Sequence, residues 1–263
     1  FYKHVYRDEN GKLFLGKNKD SNSIELIDFE TKSRKSRDSV IIKLLHKAEN
    51  VAEELFDRIG VRFITASSFE SLLVVKFLFE NNVILPHNLK PSRSHNNLID
   101  LKKLRYKYMS TIRNSIRNDL LEKDLLAALQ TDTVACIPQG EGSDKNNPHS
   151  LQQYRSIQFT CRQMIKYKNP FMQGFSQLRK LAKEMNDRDE NNELTLKISS
   201  LDTSSIARDI RFFYPFEIQV VDLENHKRNT EGEASHQEYK KSQMRTAILR
   251  LFRPLIDFKG IDF

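Results

Sequence analysis

Apolar and polar positions alternate with a period of two in several short stretches and recur at helical spacing in others. "KLFLGKN" and "SIELIDFET" alternate around a Lys/Asp/Ser/Asn turn and predict a hairpin over 11–31. Val40, Leu44, Val51 and Leu55 recur at roughly helical spacing behind Asp38 or Ser39 as cap. "RIGVRFITA" predicts a strand over 61–65 after a glycine turn. "SFESLLVVKFLFENN" predicts a helix capped by Ser67 or Ser68. A charged helical stretch follows over about 99–130, then a loop over 131–151. "YRSIQFTCRQMIKY" reads as a second core strand and 171–186 as a helix. The hydrophilic "NDRDENNE" reads as a loop, with strands near 194–199 and 210–222 and a C-terminal helix over about 231–252.

Helices alternating with strands predict an α/β (α+β) fold, a mixed β-sheet flanked by helices. No internal repeat divides the chain, so 1–263 is read as a single domain. The strand "FFYPFEIQVV" is rich in aromatic and β-branched residues. Its period of two puts Glu217 and Gln219 on one face and Ile218 and Val220 on the other. A carboxylate on a core strand is costly unless something charged meets it. That makes Glu217 a candidate site residue.

Composition narrows the classes. Of the 263 residues, 38% are hydrophobic and 30% charged, enough for a core beneath a broad solvated surface. No run of 18 apolar residues exists, so no membrane span is expected. The N-terminus lacks the charged-then-apolar order of a signal peptide. Cys136 and Cys161 form no metal or disulfide pattern, so a reducing cytoplasm is the expected compartment. The net charge of +8 points to a polyanionic partner, whether nucleic acid, nucleotide phosphates or an acidic membrane face, with a merely lysine-rich surface as the plain alternative.

Four constellations carry candidate chemistry. "KSRKSRDSVIIKLLHK" brings Arg34, Lys35, Ser36, Lys43 and Lys47 to a helix start, where guanidinium, ammonium and backbone N–H groups suit phosphates. A solvated face is the plain alternative. Asp57, at the mouth of a strand in "FDRIGVRFI", suits Mg²⁺, which takes one or two carboxylates plus substrate phosphates. A turn cap or a pair with Arg58 or Arg62 is the alternative there. In "QQYRSIQFT", Tyr154 offers a ring to a nucleobase and Arg155 a charge to its phosphates. Glu217 is a second metal carboxylate or a general base.

Together these segments resemble the alarmone synthetase domain of RelA/SpoT proteins. That family's basic K-S-x-x-S-I-x-x-K-L helix start is matched by "KSRDSVIIKL" from Lys35 to Leu44. Its D-x-x-G-I-R is matched by Asp57 to Arg62, and its G-Y-x-S-L-H by "QYRSIQ" from Gln153 to Gln158. Its E-I-Q-I-R-T, His and G-x-A-A-H-x-x-Y-K elements are matched by Glu217, Ile218, Gln219, His226, Gly232, Ala234, His236, Tyr239 and Lys240. The motifs cover about a quarter of the chain.

The resemblance implies a nucleotidyltransferase-like synthetase fold with insertions at about 85–150 and 165–208. It also implies transfer of the β,γ-pyrophosphate of ATP to the 3′-hydroxyl of GDP or GTP, giving (p)ppGpp. In that reading Arg34, Lys35, Ser36, Lys43 and Lys47 bind ATP. Asp57 and Glu217 are catalytic and hold Mg²⁺, with their oxygens about 4–6 Å apart. Tyr154, Arg155, Gln158 and His226 bind the acceptor, the Tyr154 ring stacking on the base. The sequence departs from the family at Gln153 for glycine, Gln158 for histidine and Val221 for arginine. Those departures keep two alternatives open: a toxin-type relative acting on an adenine nucleotide or the tRNA 3′ end, and a non-catalytic nucleotide- or RNA-binding module. A homo-oligomer is also left open.

Overall fold

The chain is described by a computed structural model over residues 1, 3–17, 23–32, 36–46, 59–138, 154–187, 192–230 and 236–260. It is mixed α/β, with one mixed five-stranded sheet and one three-stranded sheet. Strands β1 (Val5–Arg7), β2 (Leu13–Leu15) and β3 (Ile24–Leu26) pair antiparallel in chain order. The larger sheet has the order β4 (Asp28–Lys32), β5 (Gly60–Thr65), β8 (Asp209–Asp222), β7 (Ile157–Lys168), β6 (His95–Asn96). β4 runs antiparallel to β5, and β5 parallel to β8. The expected second strand of the N-terminal hairpin is thus two strands in two sheets. The chain turns at Ile27, whose N–H donates to the Ile64 carbonyl at 2.8 Å, and "DFETK" leaves the hairpin to pair with β5.

The core lies on the side of this sheet where Val61, Phe63, Ile218 and Val220 point. Helix α2 (Ser68–Glu80) covers it with Val74 and Leu78, both fully buried. Ser67 starts α2 with a capping box. Its hydroxyl accepts from Glu70 N at 3.3 Å while the Glu70 carboxylate accepts from Ser67 N at 3.1 Å.

Helix α1 (Arg37–His46) begins earlier than expected. Ser36, not Asp38 or Ser39, caps it, its Oγ lying 3.4 Å from Ser39 N and 2.7 Å from Ser39 Oγ. The charged stretch is two helices, α3 (Leu101–Asn118) and α4 (Glu122–Val134), rather than one. They are separated at Asp119, whose φ of 48° is left-handed. The loop expected from 131 therefore starts only after Val134.

The chain packs as two compact units, Phe1–Cys161 with Pro215–Phe263, and Arg162–Tyr214. The second unit encloses the span 165–208 read as an insertion. It contains α5 (Pro170–Asn186) and α6 (Glu193–Ser200), packed against each other. Two expectations fail in it. The strand near 194–199 is helix α6, because the Asn192 side chain accepts from Leu194 N and Thr195 N and sets a helical first turn. The outer half of β7 is not core: Met164 and Tyr167 are exposed, as are Phe212 and Phe213 on β8. Helix α7 (Leu223–Thr230), which the polar "LENHKRNT" did not signal, links β8 to α8 (His236–Lys259). Among the described residues no helix is long and apolar enough to cross a membrane.

Candidate functional site

The face of the larger sheet opposite the Phe63–Val220 core is polar where β5, β8 and β7 meet. Two cross-strand rows make it. The first row pairs Glu30 with Arg62 and Arg62 with Gln219 in register. Arg62 Nη1 donates to Glu30 Oε2 at 2.9 Å and Arg62 Nε to Gln219 Oε1 at 2.7 Å. The Gln219 amide then donates to the Tyr154 hydroxyl and, at 3.3 Å, to Ser156 Oγ. The amide O/N assignment follows from these partners: Oε1 meets a donor-only guanidinium and Nε2 meets hydroxyls.

The second row pairs Lys32 with Gly60, Gly60 with Glu217, and reaches β7 through a hydrogen bond from Gln158 Nε2 to Glu217 Oε1. His95 stands opposite Gln158 on β6. The Ser156–Gln219 and Gln158–Glu217 contacts run in opposite order along their strands, so β7 and β8 are antiparallel here. Between Lys32 and Glu217 the row position is Gly60, which has no side chain. Among the described residues, a Cβ built on Gly60 meets nothing nearer than Lys32 Cβ at 3.8 Å. Among the described residues, the half-buried Glu217 therefore borders an open strip of backbone.

The segment carrying Tyr154 and Arg155 is irregular and is held from two sides. Asn97 accepts from Ser156 N at 2.7 Å and donates to the Tyr154 carbonyl at 2.5 Å. Asn229 of α7 accepts from Arg155 N at 3.2 Å and donates to its carbonyl at 3.0 Å. Helix α7 is fixed in turn by the buried Asp222. That carboxylate accepts from Asn225 N at 2.8 Å and from Ser68 Oγ of α2 at 2.8 Å. His226 lies one turn before Asn229 on α7 and is half-buried. Arg155 Nη2 donates to the Pro138 carbonyl at 3.3 Å, while its buried Nη1 has no hydrogen-bond partner among the described residues.

Burial raises the Tyr154 pKa, outweighing the nearby Arg62 charge and the Gln219 hydrogen bond, so the phenol is neutral at physiological pH. The hydroxyl takes part in the network, a role that the ring's place in the sequence motif does not signal.

Glu217 and Gln158 are thus in contact, Tyr154 belongs to the neighbouring row through Gln219, and Arg155 and His226 flank the Tyr154 segment. Ser36 is engaged at its own helix start, where it meets Ser39. Asp57, Arg34, Lys35 and Lys47, and the Lys43 side chain, lie outside the described residues. Ile59, two residues after Asp57, accepts from Glu217 N at 2.9 Å. Among the described residues no group of three or more His, Cys, Asp and Glu side chains is gathered. Among the described residues Glu217 supplies a hard oxygen donor beside this strip, which fits Mg²⁺ when substrate phosphates and further ligands complete the shell.

Sequence reasoning missed Arg62 and Glu30, because only the β4–β5 register makes them neighbours. It missed Asn97 and Asn229 because nothing in their local sequence marks a clamp. Val221, at the family's arginine position, is 1% exposed, and the Thr65 hydroxyl donates to its backbone carbonyl at 3.4 Å, so this position is buried. No protein-family model matches the chain, and no curated protein matches it.

Proposed function

We propose that the chain is an ATP-dependent pyrophosphokinase of the RelA/SpoT synthetase type, built on a nucleotidyltransferase-like sheet. The observation that carries this is the convergence of three motif segments about 60 to 100 positions apart in sequence. "DRIGVR", "QYRSIQ" and "FEIQV" supply Arg62, Tyr154, Ser156, Gln158, Glu217 and Gln219 to one hydrogen-bonded face. Arg62, Gln219, Tyr154 and Ser156 form one hydrogen-bonded group and Gln158 and Glu217 a second on the same face, pairings that a merely solvated sheet face does not need.

In the proposed reaction the acceptor 3′-oxygen attacks the β-phosphorus of ATP. The bond from that phosphorus to the α–β bridging oxygen breaks and AMP leaves. The hydroxyl proton passes to Glu217, which lies on the open strip at Gly60 where an acceptor ribose would sit. Asp57 would join Glu217 in holding Mg²⁺, which would neutralise phosphate charge. Arg34, Lys35, Ser36, Lys43 and Lys47 are assigned to the ATP phosphates on the sequence match alone. Tyr154, Arg155 and His226 are assigned to the acceptor.

A specific observation favours an acceptor other than GDP or GTP as the second reading. The residue touching Glu217 is Gln158 where the family has histidine, and the family's arginine position is the buried Val221. Both changes fall on the acceptor side. Incubating the protein with γ-labelled ATP, Mg²⁺ and, separately, GDP, GTP, an adenine nucleotide and tRNA tests both readings. Label on a guanine nucleotide supports the first, and label on another acceptor supports the second. Label on none of them overturns both and leaves a binding module.

A further inference from the structure

We infer that helix α3 carries a docking stripe for a single-stranded polynucleotide, separate from the polar sheet face and independent of the activity proposed for it. The 18 residues from Leu101 to Asn118 contain six Lys and Arg and no Asp or Glu. Their inner face is committed to the fold. Leu104 and Ser115 are buried, Tyr108 Oη lies 2.5 Å from Thr133 Oγ1 of α4, and Thr111 donates to Asp132.

The outer face is organised. Lys102, Tyr106, Arg113 and Arg117 are spaced i, i+4, i+11 and i+15, which places them within about 60° of one another around the helix and along about 22 Å of its length. All four are exposed, and Tyr106 is 81% exposed. Lys102, Arg113 and Arg117 make no ion pair among the described residues, whereas Lys103 beside them reaches Asp100 at 3.8 Å.

Exposed cations in a row attract a row of negative charges, and phosphates along a strand supply one. The bare aromatic ring among them selects the kind of strand. In a duplex the base faces are already stacked, so Tyr106 has nothing to cover. An unpaired base can lie on the ring and bury it. Leu101, Met109, Ile112 and Ile116 of the same helix are exposed, so an anionic membrane surface is the rival occupant, and the bare ring among the cations favours the strand. Met109 and Ile116 border the stripe but do not oppose it.

The test is fluorescence anisotropy of a labelled oligouridine with the whole chain, across a salt series. Binding is expected, weakening as salt rises. The double substitution Arg113→Gln/Arg117→Gln removes two phosphate contacts and should flatten the log–log salt slope by about 1.4, at about 0.7 per contact on a single strand. Tyr106→Ala should weaken binding about fivefold or more, and Tyr106→Phe should not. Circular dichroism keeps loss of fold apart from loss of binding. Equal binding by the wild type and the double variant overturns the stripe. Tighter binding to a duplex of the same length, or a neutral Tyr106→Ala, overturns the single-strand assignment. Co-flotation with anionic phosphatidylserine vesicles without oligouridine binding makes the stripe a membrane contact and overturns it as well. Each result stands apart from the pyrophosphate assay, which reads the sheet face.

Discussion

Gly60 is the residue on which the site turns, because it does nothing that only glycine can do for the fold. Among the described residues its Cβ position is open, with Lys32 Cβ at 3.8 Å the nearest atom. Glycine inside a strand costs about 0.5–1 kcal/mol relative to alanine. Gly60→Ala is therefore expected to leave the melting temperature unchanged or raise it. If a substrate lies on the strip beside Glu217, the same methyl group should lower pyrophosphate transfer at least tenfold. Full activity in this variant would mean that the strip is unused. Tyr154 gives a second test. Base stacking alone predicts that Tyr154→Phe is mild. The hydroxyl accepts from Gln219, so its loss should cost about 0.5–1.5 kcal/mol of stability in a denaturant titration, whatever happens to the acceptor KM.

At the scale of elements, local rules were legible where capping and alternation agree. The "SFESLLVVKFLFE" helix carries both a capping box and an apolar face. Ser67→Ala is expected to lower stability by about 0.5–2 kcal/mol, read as a shift in the denaturant midpoint. The rules misled where they conflict. Leu194, Leu196 and Ile198 alternate like a strand, yet Asn192 caps the segment as a helix. "SIELIDFET" reads as one alternating strand, but its phase slips at the adjacent Leu26 and Ile27, where the chain passes from one sheet to the other. The alternation of Glu217 and Gln219 against Ile218 and Val220 was legible, and so were Tyr154 and Gln158 as site candidates. Their partners were not. Arg62 finds Glu30 across an antiparallel pairing and Gln219 across a parallel one, and neither register is written in local sequence.

At the scale of the molecule, the core around Cys161 ties stability to pH. Burial pushes its thiol from the ordinary 9.0 up to about 12. Below about pH 9 the folded and unfolded chains both keep the proton. Between 9 and 12 the unfolded chain releases it while the folded chain holds it, so stability falls as pH rises. The buried Tyr154 phenol acts in the same direction from its ordinary value of 10.0 upward. The melting temperature should decline across this range, and less steeply in Cys161→Ala. An identical decline in that variant would place the alkaline sensitivity elsewhere.

The chain's charge of +8 suits a protein that handles two nucleotides at once. That is the central claim, and acceptor-dependent AMP release tests it most directly. Wild type with ATP, Mg²⁺ and the acceptor found by labelling should release AMP in step with pyrophosphorylated product. Glu217→Gln, folded and still able to accept from Gln158, should be slower by about 100-fold or more, the range for loss of a general base. Release of labelled inorganic phosphate without AMP, or equal rates in the two proteins, would contradict the account.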